Sequence, residues 1–323
     1  MSSRLFSLTT CLLLLCLCFL VLPVYAQPRA EQPANSQSVE SEVANLRERA
    51  GKGDATAEYR LARLYMDGTG VGSDYKEAAK YLHAAAEQGL AEAEVVLGYL
   101  YENGKGVRRS DRKAFDYYAA AAGQGDLTAA NNLAVMYEYG RGVHKDVREA
   151  VNWYRRAAEG GSVVAQCNLG TLYFRGRGVQ QDFTQAAEWF GKAAEGRYAP
   201  GQQILAWLYF KGAGVPQDYA IAVKLLQSAA KDGNARAQTD LGYLYEQGKA
   251  VPLDYVTAYM WYTTAASGGD LRAGERVKSL SKLMTKQQIS QGVAAAMELS
   301  NSMLRGEMVE ESQGIGNAFS SER

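Results

Sequence analysis

The side chains best suited to covalent chemistry in this 323-residue sequence are few and scattered. Cys167 is a candidate nucleophile with His144 as its base, since imidazole commonly activates a cysteine thiol. Ser73 and Lys76 have the Ser-x-x-Lys spacing of β-lactam-recognising enzymes. No Ser-Asp-Asn or Lys-Thr-Gly motif accompanies that pair, so an envelope hydrolase is only the alternative function.

Metal and phosphate chemistry have weak support as well. Two histidines and four cysteines provide little material for a metal site. A Gly-x-Gly-Val motif, seen for example at 176–179, resembles a phosphate-binding loop, but it follows a predicted helix where such a loop would follow a strand. We therefore interpret it as a turn and expect no catalytic residue, no cofactor and no metal.

The elements that would position any site come from one repeated unit. Aligning the sequence with itself at a shift of 36 residues gives six gapless copies, beginning at Asp54 and ending at 269. A fixed period of this length is typical of a solenoid. Positions 1–36 below are counted from the first residue of each copy.

Each copy has the pattern of two helices. Apolar residues fall at positions 4, 8, 11 and 12, which lie along one stripe of a helix. Position 15 is glycine in all six copies, a residue that commonly ends helices in the left-handed conformation. Alanine at positions 25, 32 and 33 faces large residues at 28 and 29, which favours close packing of a second helix. The predicted fold is an all-α solenoid of helix-turn-helix repeats with capping helices.

The predicted domains follow from this period. They are a signal peptide at 1–26, a flexible linker at 27–41, an N-terminal capping helix at 42–53, six repeats at 54–89, 90–125, 126–161, 162–197, 198–233 and 234–269, C-terminal capping helices at 270–301 and a disordered tail at 302–323. Asp74 and Glu77 have the capping-box spacing at the start of the second helix of the first copy. Thr285 and Gln288 form the same pattern at the start of the last helix, which we expect to end near Ser300.

The fourth copy carries a resemblance to a known family. Its run Leu169-Gly170-x-x-Tyr173-x-x-Gly176-x-Gly178-Val179-x-x-Asp182, followed by Ala186-x-x-Trp189-Phe190-x-Lys192-Ala193-Ala194-Glu195, resembles the SEL-one-like repeat, a relative of the tetratricopeptide repeat. The resemblance implies a right-handed superhelix that acts as a protein-interaction scaffold, with no shared catalytic residues. A cysteine-rich branch is associated with β-lactams, but this sequence lacks that branch's paired cysteines.

Positions 6, 10 and 13 of the first helix lie opposite its core stripe. First helices typically line the concave surface of such solenoids, so we predict that these positions form a partner-binding face there. Phe174, Trp207, Phe210 and Tyr243 are expected to form an aromatic cluster there, with Arg175 and Lys211 at its rim and Tyr99 on an earlier copy. Aromatic anchors with a basic rim suit a peptide or a partner helix. The alternative is that neighbouring first helices bury these rings, and the sequence leaves both possibilities open.

Residues 1–26 have the pattern of a secretory signal peptide. Arg4 precedes an unbroken apolar run, Cys11 to Leu22, and Val24-Tyr25-Ala26 supplies the cleavage positions. The run is too short to span a bilayer of about 30 Å as a helix. An uncleaved membrane anchor is the alternative interpretation of this segment. Cleavage would leave Cys167 as the single cysteine and therefore no intrachain disulfide.

These features together predict an exported, non-enzymatic scaffold that binds a protein partner. None of the asparagines begins an Asn-x-Ser/Thr sequon, which favours the bacterial periplasm or secretion over a eukaryotic secretory lumen. The 35 basic residues equal the 35 acidic ones, which disfavours nucleic-acid binding. The resemblance to secreted bacterial SEL-one-like proteins implies a role in regulating an envelope or host-contact process.

Overall fold

The computed structural model describes residues 36–318, and every regular element in that range is an α-helix. The prediction of an all-α repeat solenoid is therefore confirmed. The predicted signal peptide at 1–26 and most of the predicted linker lie outside the described residues. None of the described helices is both long enough and apolar enough to cross a membrane.

Fifteen helices follow one another along the described part of the chain. They are α1 (Ser36–Gly51), α2 (Ala55–Asp67), α3 (Tyr75–Glu87), α4 (Ala91–Asn103), α5 (Asp111–Gly123), α6 (Leu127–Tyr139), α7 (Val147–Glu159), α8 (Val163–Arg175), α9 (Phe183–Glu195), α10 (Ala199–Lys211), α11 (Tyr219–Lys231), α12 (Ala235–Gln247), α13 (Tyr255–Ser267), α14 (Leu271–Leu280) and α15 (Lys286–Ala318). The chain divides into two compact units, the first ending at Asp146 and the second beginning at Val147.

Glycine at position 15 ends the first helix of every repeat. Its φ lies between 60° and 76° in the six copies, in the left-handed region that other residues rarely adopt. In the first copy, the amide of Gly68 donates to the carbonyl oxygen of Leu64, which satisfies a carbonyl at the helix end. The predicted helix stop is thus present in each repeat.

A backbone hydrogen bond also ties the start of each second helix to the first. The amide of Asp74 donates to the carbonyl oxygen of Tyr65 at 2.9 Å, and the equivalent bond to the tyrosine at position 12 recurs in every copy. The capping box predicted for Asp74 and Glu77 is consequently only half formed: the Asp74 carboxylate caps the helix, but its own amide is already bonded. The box at Thr285 and Gln288 is complete, with bonds of 2.9 and 3.2 Å.

The core of each helix pair combines alanines with one large side chain. The alanines at positions 25 and 32 are fully buried in all six copies, which lets the paired helices approach closely. The residue at position 29 is also buried in each copy. These residues are Leu82, Tyr118, Tyr154, Phe190, Leu226 and Tyr262.

The helices at the two ends are longer than predicted. Helix α1 begins at Ser36, six residues before the expected capping helix at 42–53. Helix α15 continues to Ala318, through most of the stretch predicted as a disordered tail at 302–323. The glycines of that stretch suggested a tail, but it contains no proline and is rich in Met and Glu, which are good helix formers.

Candidate functional site

The predicted aromatic face lies in the second unit, and the structure brings two of its rings into contact. Phe174 of α8 and Trp207 of α10 meet edge to face, with ring centroids 5.4 Å apart and an interplanar angle of 76°. Phe183 makes a second edge contact with Phe174 at 5.4 Å. Both predicted residues are half-buried and pack against one core cluster of α8, α9 and α10.

The other two predicted rings pack elsewhere, so the four do not form one cluster. The ring centroids of Phe210 and Tyr219 are 5.1 Å apart. Phe210 also packs, with Tyr243, against the next core cluster along the chain. Tyr243 also contacts the cluster that contains Tyr259 and Met284. The expected single aromatic patch is thus a row of half-buried rings shared between successive helix layers.

Cations accompany these rings, but not only the predicted ones. The Lys211 ammonium lies 6.0 Å from the Phe210 ring centroid, and Arg175 is half-buried at the end of α8. Lys249 and Arg276 were not predicted from the sequence, and their charged groups lie 5.4 and 5.8 Å from the Tyr243 ring centroid. Such contacts stabilise a cation over an aromatic face by about 0.5–2 kcal/mol, depending on exposure.

Tyr99, the remaining predicted residue, belongs to the first unit. Its hydroxyl accepts a 2.9 Å hydrogen bond from Lys105, whose ammonium lies between the rings of Tyr75 and Tyr99. That hydrogen bond raises the pKa of Lys105 above its ordinary value. Tyr99 is therefore half-buried beside a cation, an arrangement like that of Tyr243.

Position 6 is less open than the helical-wheel argument implied. Cys167 is only 6% exposed and packs in one cluster with Leu205 and Leu208 of the next first helix. Thr171 at position 10 is 9% exposed. A neighbouring first helix covers this side, so the face available to a partner is limited to the outer edges of positions 10, 13 and 14.

The residues that the sequence suggested for chemistry contribute to packing and to a turn. The Cys167 thiol is buried in an apolar cluster. The Ser73 hydroxyl donates to the carbonyl oxygen of Met66 at 3.3 Å and its Cβ packs against Gly68, so it closes the turn of the first repeat. Among the described residues, no group of three His, Cys, Asp or Glu side chains could hold a metal ion.

His83 lies in a network of aromatic rings in the first unit. Its Nε2 is 3.1 Å from the Tyr101 hydroxyl, and its Nδ1 is 3.0 Å from the Tyr117 hydroxyl. The two tyrosine rings stack with centroids 5.7 Å apart. Burial, and then the charge of Lys113, lower the pKa of His83, so the neutral imidazole joins the two hydroxyls.

A basic cavity that was not predicted from the sequence adjoins this network. It has a volume of about 560 Å³ and is open to solvent. Its lining residues are Tyr101, Val107, Arg108, Arg109, Ser110 and Lys113. The signal in the sequence was the stretch Arg108-Arg109-Ser110-Asp111-Arg112-Lys113, whose density of positive charge no other copy has at these positions.

Comparison with a family sequence model identifies the repeated unit. The model of the Sel1 repeat matches the chain six times, at 55–90, 91–126, 127–162, 163–198, 199–234 and 235–270. These matches have the 36-residue period found within the sequence. The sequence has no match among curated proteins.

Two solved structures are similar over most of the chain. A protective antigen present in uropathogenic Escherichia coli strains, which displays an SLR fold, is 33% identical, with a TM-score of 0.70 over 80% of this chain and 57% of the antigen. A Sel1 repeat protein from Oxalobacter formigenes is 30% identical, with a TM-score of 0.67 over 71% of this chain and 92% of that protein. The chain thus spans little more than half of the antigen's length.

Proposed function

Because the chain belongs to the Sel1 repeat family, whose members are typically protein–protein interaction scaffolds, we propose that it is a non-enzymatic scaffold exported to the bacterial envelope. It would bind a partner segment on the outer edges of the first helices in the second unit. The observation that carries this proposal is the row of half-buried aromatic rings with adjacent cations on α8, α10 and α12.

Preformed geometry supports binding on this face. Phe174 and Trp207 are held by edge contacts and by the cluster beneath them, so a partner would not have to order them. Ordering an interface side chain costs about 0.5–1.5 kcal/mol, which a rigid surface avoids. Half-buried aromatic side chains of this kind are frequent energetic centres of protein interfaces.

Site-specific photocrosslinking in the full chain would test this face. A photoreactive amino acid at Lys211, at the end of α10, should crosslink to one discrete partner in cells. The same group at Lys224, an exposed residue on the second helix of the same repeat, is the matched control. No crosslink at 211, or equal crosslinking at 211 and 224, would refute the proposed face.

A second comparison separates binding from folding. Trp207→Ala and Trp153→Ala each remove a half-buried tryptophan from the second unit, one on a first helix and one on a second helix. We expect Trp207→Ala to reduce the crosslink at 211 at least tenfold, whereas Trp153→Ala should preserve it. Circular dichroism should show the same helicity in the two variants, so that a lost crosslink reports lost binding and not lost folding.

Export is the part of the proposal that rests on the sequence alone. The basic start and the apolar run before Ala26 support recognition and cleavage as a secretory signal. Mass spectrometry of the protein from the periplasmic fraction should give a mature chain that begins at Gln27. Cytoplasmic protein that retains Met1 would contradict export.

The proposal includes no catalytic step. The family's members are generally non-catalytic, and the Ser73 hydroxyl already bonds to a backbone carbonyl. Hydrolysis of a chromogenic β-lactam that Ser73→Ala abolishes would instead favour the envelope-hydrolase alternative.

A further inference from the structure

The basic cavity of the first unit combines three cations with an aromatic floor. Tyr101 is 6% exposed and fixed by its hydrogen bond to His83, so the floor is rigid. Above it, the Lys113 ammonium lies 4.9 Å from the Tyr101 ring centroid and 3.4 Å from its hydroxyl. Arg108 and Arg109 extend from the preceding loop and are exposed.

The positive charge of the cavity is largely unneutralised within the described part of the chain. Arg109 forms a single exposed ion pair with Asp111, at 3.3 Å. No described carboxylate lies within ion-pair distance of Arg108 or Lys113. By contrast, the nearby Arg141 forms a mostly buried ion pair with Glu102, so its charge is neutralised within the protein.

This charge distribution comes from backbone geometry as well as from composition. Gly104 ends α4 with φ 67° and packs against the Cβ of Arg109, which sets the path of the loop. The Ser110 hydroxyl caps α5 by accepting from the Lys113 amide at 3.3 Å, and the Ser110 amide bonds to the Tyr101 carbonyl. The positive end of the α5 dipole therefore adds to the side-chain charges at the cavity.

We propose that this cavity binds the carboxylate groups of an acidic peptide segment of a protein partner. Two exposed arginines can each form bidentate hydrogen bonds to a carboxylate, and Lys113 adds a third cation. A volume of about 560 Å³ is in the range of ligand sites and exceeds what a single small anion would fill. Val107, a half-buried lining residue, provides apolar contact for the aliphatic parts of the peptide. The site goes beyond the aromatic face proposed above and consists of different residues.

Fluorescence anisotropy with the purified full chain provides the test. The probe is a labelled twelve-residue peptide of alternating glutamate and glycine, and its control replaces every glutamate with glutamine. We expect the glutamate peptide to bind with salt-dependent affinity and the glutamine peptide to bind at least tenfold more weakly. Equal binding of the two peptides, or no binding of either, would overturn the proposal.

Matched variants locate the binding site. The double variant Arg108→Gln with Arg109→Gln should bind the glutamate peptide with at least tenfold lower affinity. Arg60→Gln with Lys224→Gln removes the same charge from two exposed residues outside the cavity and should change the affinity less than twofold. Loss of equal size in both double variants would mean a diffuse charge effect and would overturn the site.

Competition separates the peptide from other anions. Inorganic phosphate, or a single-stranded oligonucleotide at the same concentration of charge, should displace the peptide less effectively than unlabelled glutamate peptide does. If phosphate or the oligonucleotide displaced the peptide as effectively as the unlabelled glutamate peptide does, the assignment to an acidic peptide would be overturned, because the cavity would then bind a simple ion or another polyanion equally well.

Discussion

The Tyr118 hydroxyl donates a 2.9 Å hydrogen bond to Oε2 of Glu102, joining position 29 of a repeat to position 13. The sixth repeat has the same bond, from Tyr262 to Glu246 at 2.6 Å. Wherever position 29 is tyrosine in the six copies, position 13 is glutamate. Where position 29 is Phe or Leu, position 13 is apolar, as in the pairs Phe174–Phe190, Phe210–Leu226 and Met66–Leu82.

Removal of the Tyr118 hydroxyl tests the energetic value of this pair. Arg141 also contacts Glu102, at 2.5 Å, but Tyr118→Phe leaves a carboxylate that is only 12% exposed with one fewer donor. Hydrogen bonds to charged groups stabilise by about 1.5–3 kcal/mol, and we expect a loss in that range. Urea denaturation would measure it. Tyr219→Phe, at a side chain 47% exposed, is the control and should change stability by less than about 0.5 kcal/mol.

Gly98, at position 9 of the second repeat, makes room for the Tyr118 ring at position 29. A Cβ added to Gly98 would lie 2.5 Å from the Tyr118 ring, so we expect Gly98→Ala to destabilise the protein by about 1–3 kcal/mol. Gly191→Ala is the control, because no atom lies within 4 Å of its added Cβ. That change should stabilise helix α9 by about 0.5–1 kcal/mol. Thermal denaturation measures both, and a stabilising Gly98→Ala would show that the ring is not tightly enclosed.

The repeat pattern was sufficient to predict the fold because its strongest signals are local. Glycine at position 15 needs a left-handed backbone, and alanine at positions 25 and 32 needs a close neighbour, whatever else surrounds the repeat. The capping prediction at Glu77 was less successful, because the competing carbonyl of Tyr65 belongs to another helix. Capping rules describe a single helix and do not include its partner.

The candidate sites were predicted less well, for a related reason. A helical wheel places Cys167 opposite the core, but α8 has neighbours on two sides, and Leu205 of α10 contributes to covering it. The basic cavity was not predicted because Tyr101 falls at a core-stripe position, whereas Arg108 falls between the two predicted helices of its repeat. Only the folded chain shows that the loop and the first turn of α5 meet above that ring.

His83 should make the first unit sensitive to mild acid. Its pKa in the folded state is below the ordinary value of 6.5, so the unfolded chain takes up a proton first as the pH falls. The stabilisation is fully present above pH 6.5 and is lost below it. His83→Gln should therefore lose less stability than the wild type between pH 7.5 and 5.5. Identical profiles for the wild type and His83→Gln would contradict this prediction.

Asp240 should make the second unit less stable as the pH rises, which is opposite to the effect of His83. Burial raises the pKa of Asp240 from 3.8 to about 6, and the charge of Asp270 adds to this rise. A 2.5 Å hydrogen bond that Gln203 donates to Oδ2, together with the charges of Arg272 and Arg236, opposes it. Between those two pH values the folded state binds more protons than the unfolded state, so stability falls as the pH rises through that window.

Asp240→Asn keeps an oxygen for the Gln203 amide and removes the charge. We expect the variant to be more stable than the wild type at pH 7.5, and we expect the difference to shrink as the pH is lowered to 4.5, because the wild-type carboxyl is then protonated in the folded state. Urea denaturation at the two pH values measures this difference. A variant that is less stable than the wild type at pH 7.5 would mean that the Asp240 carboxylate gains more from Arg272 and Arg236 than it loses by burial.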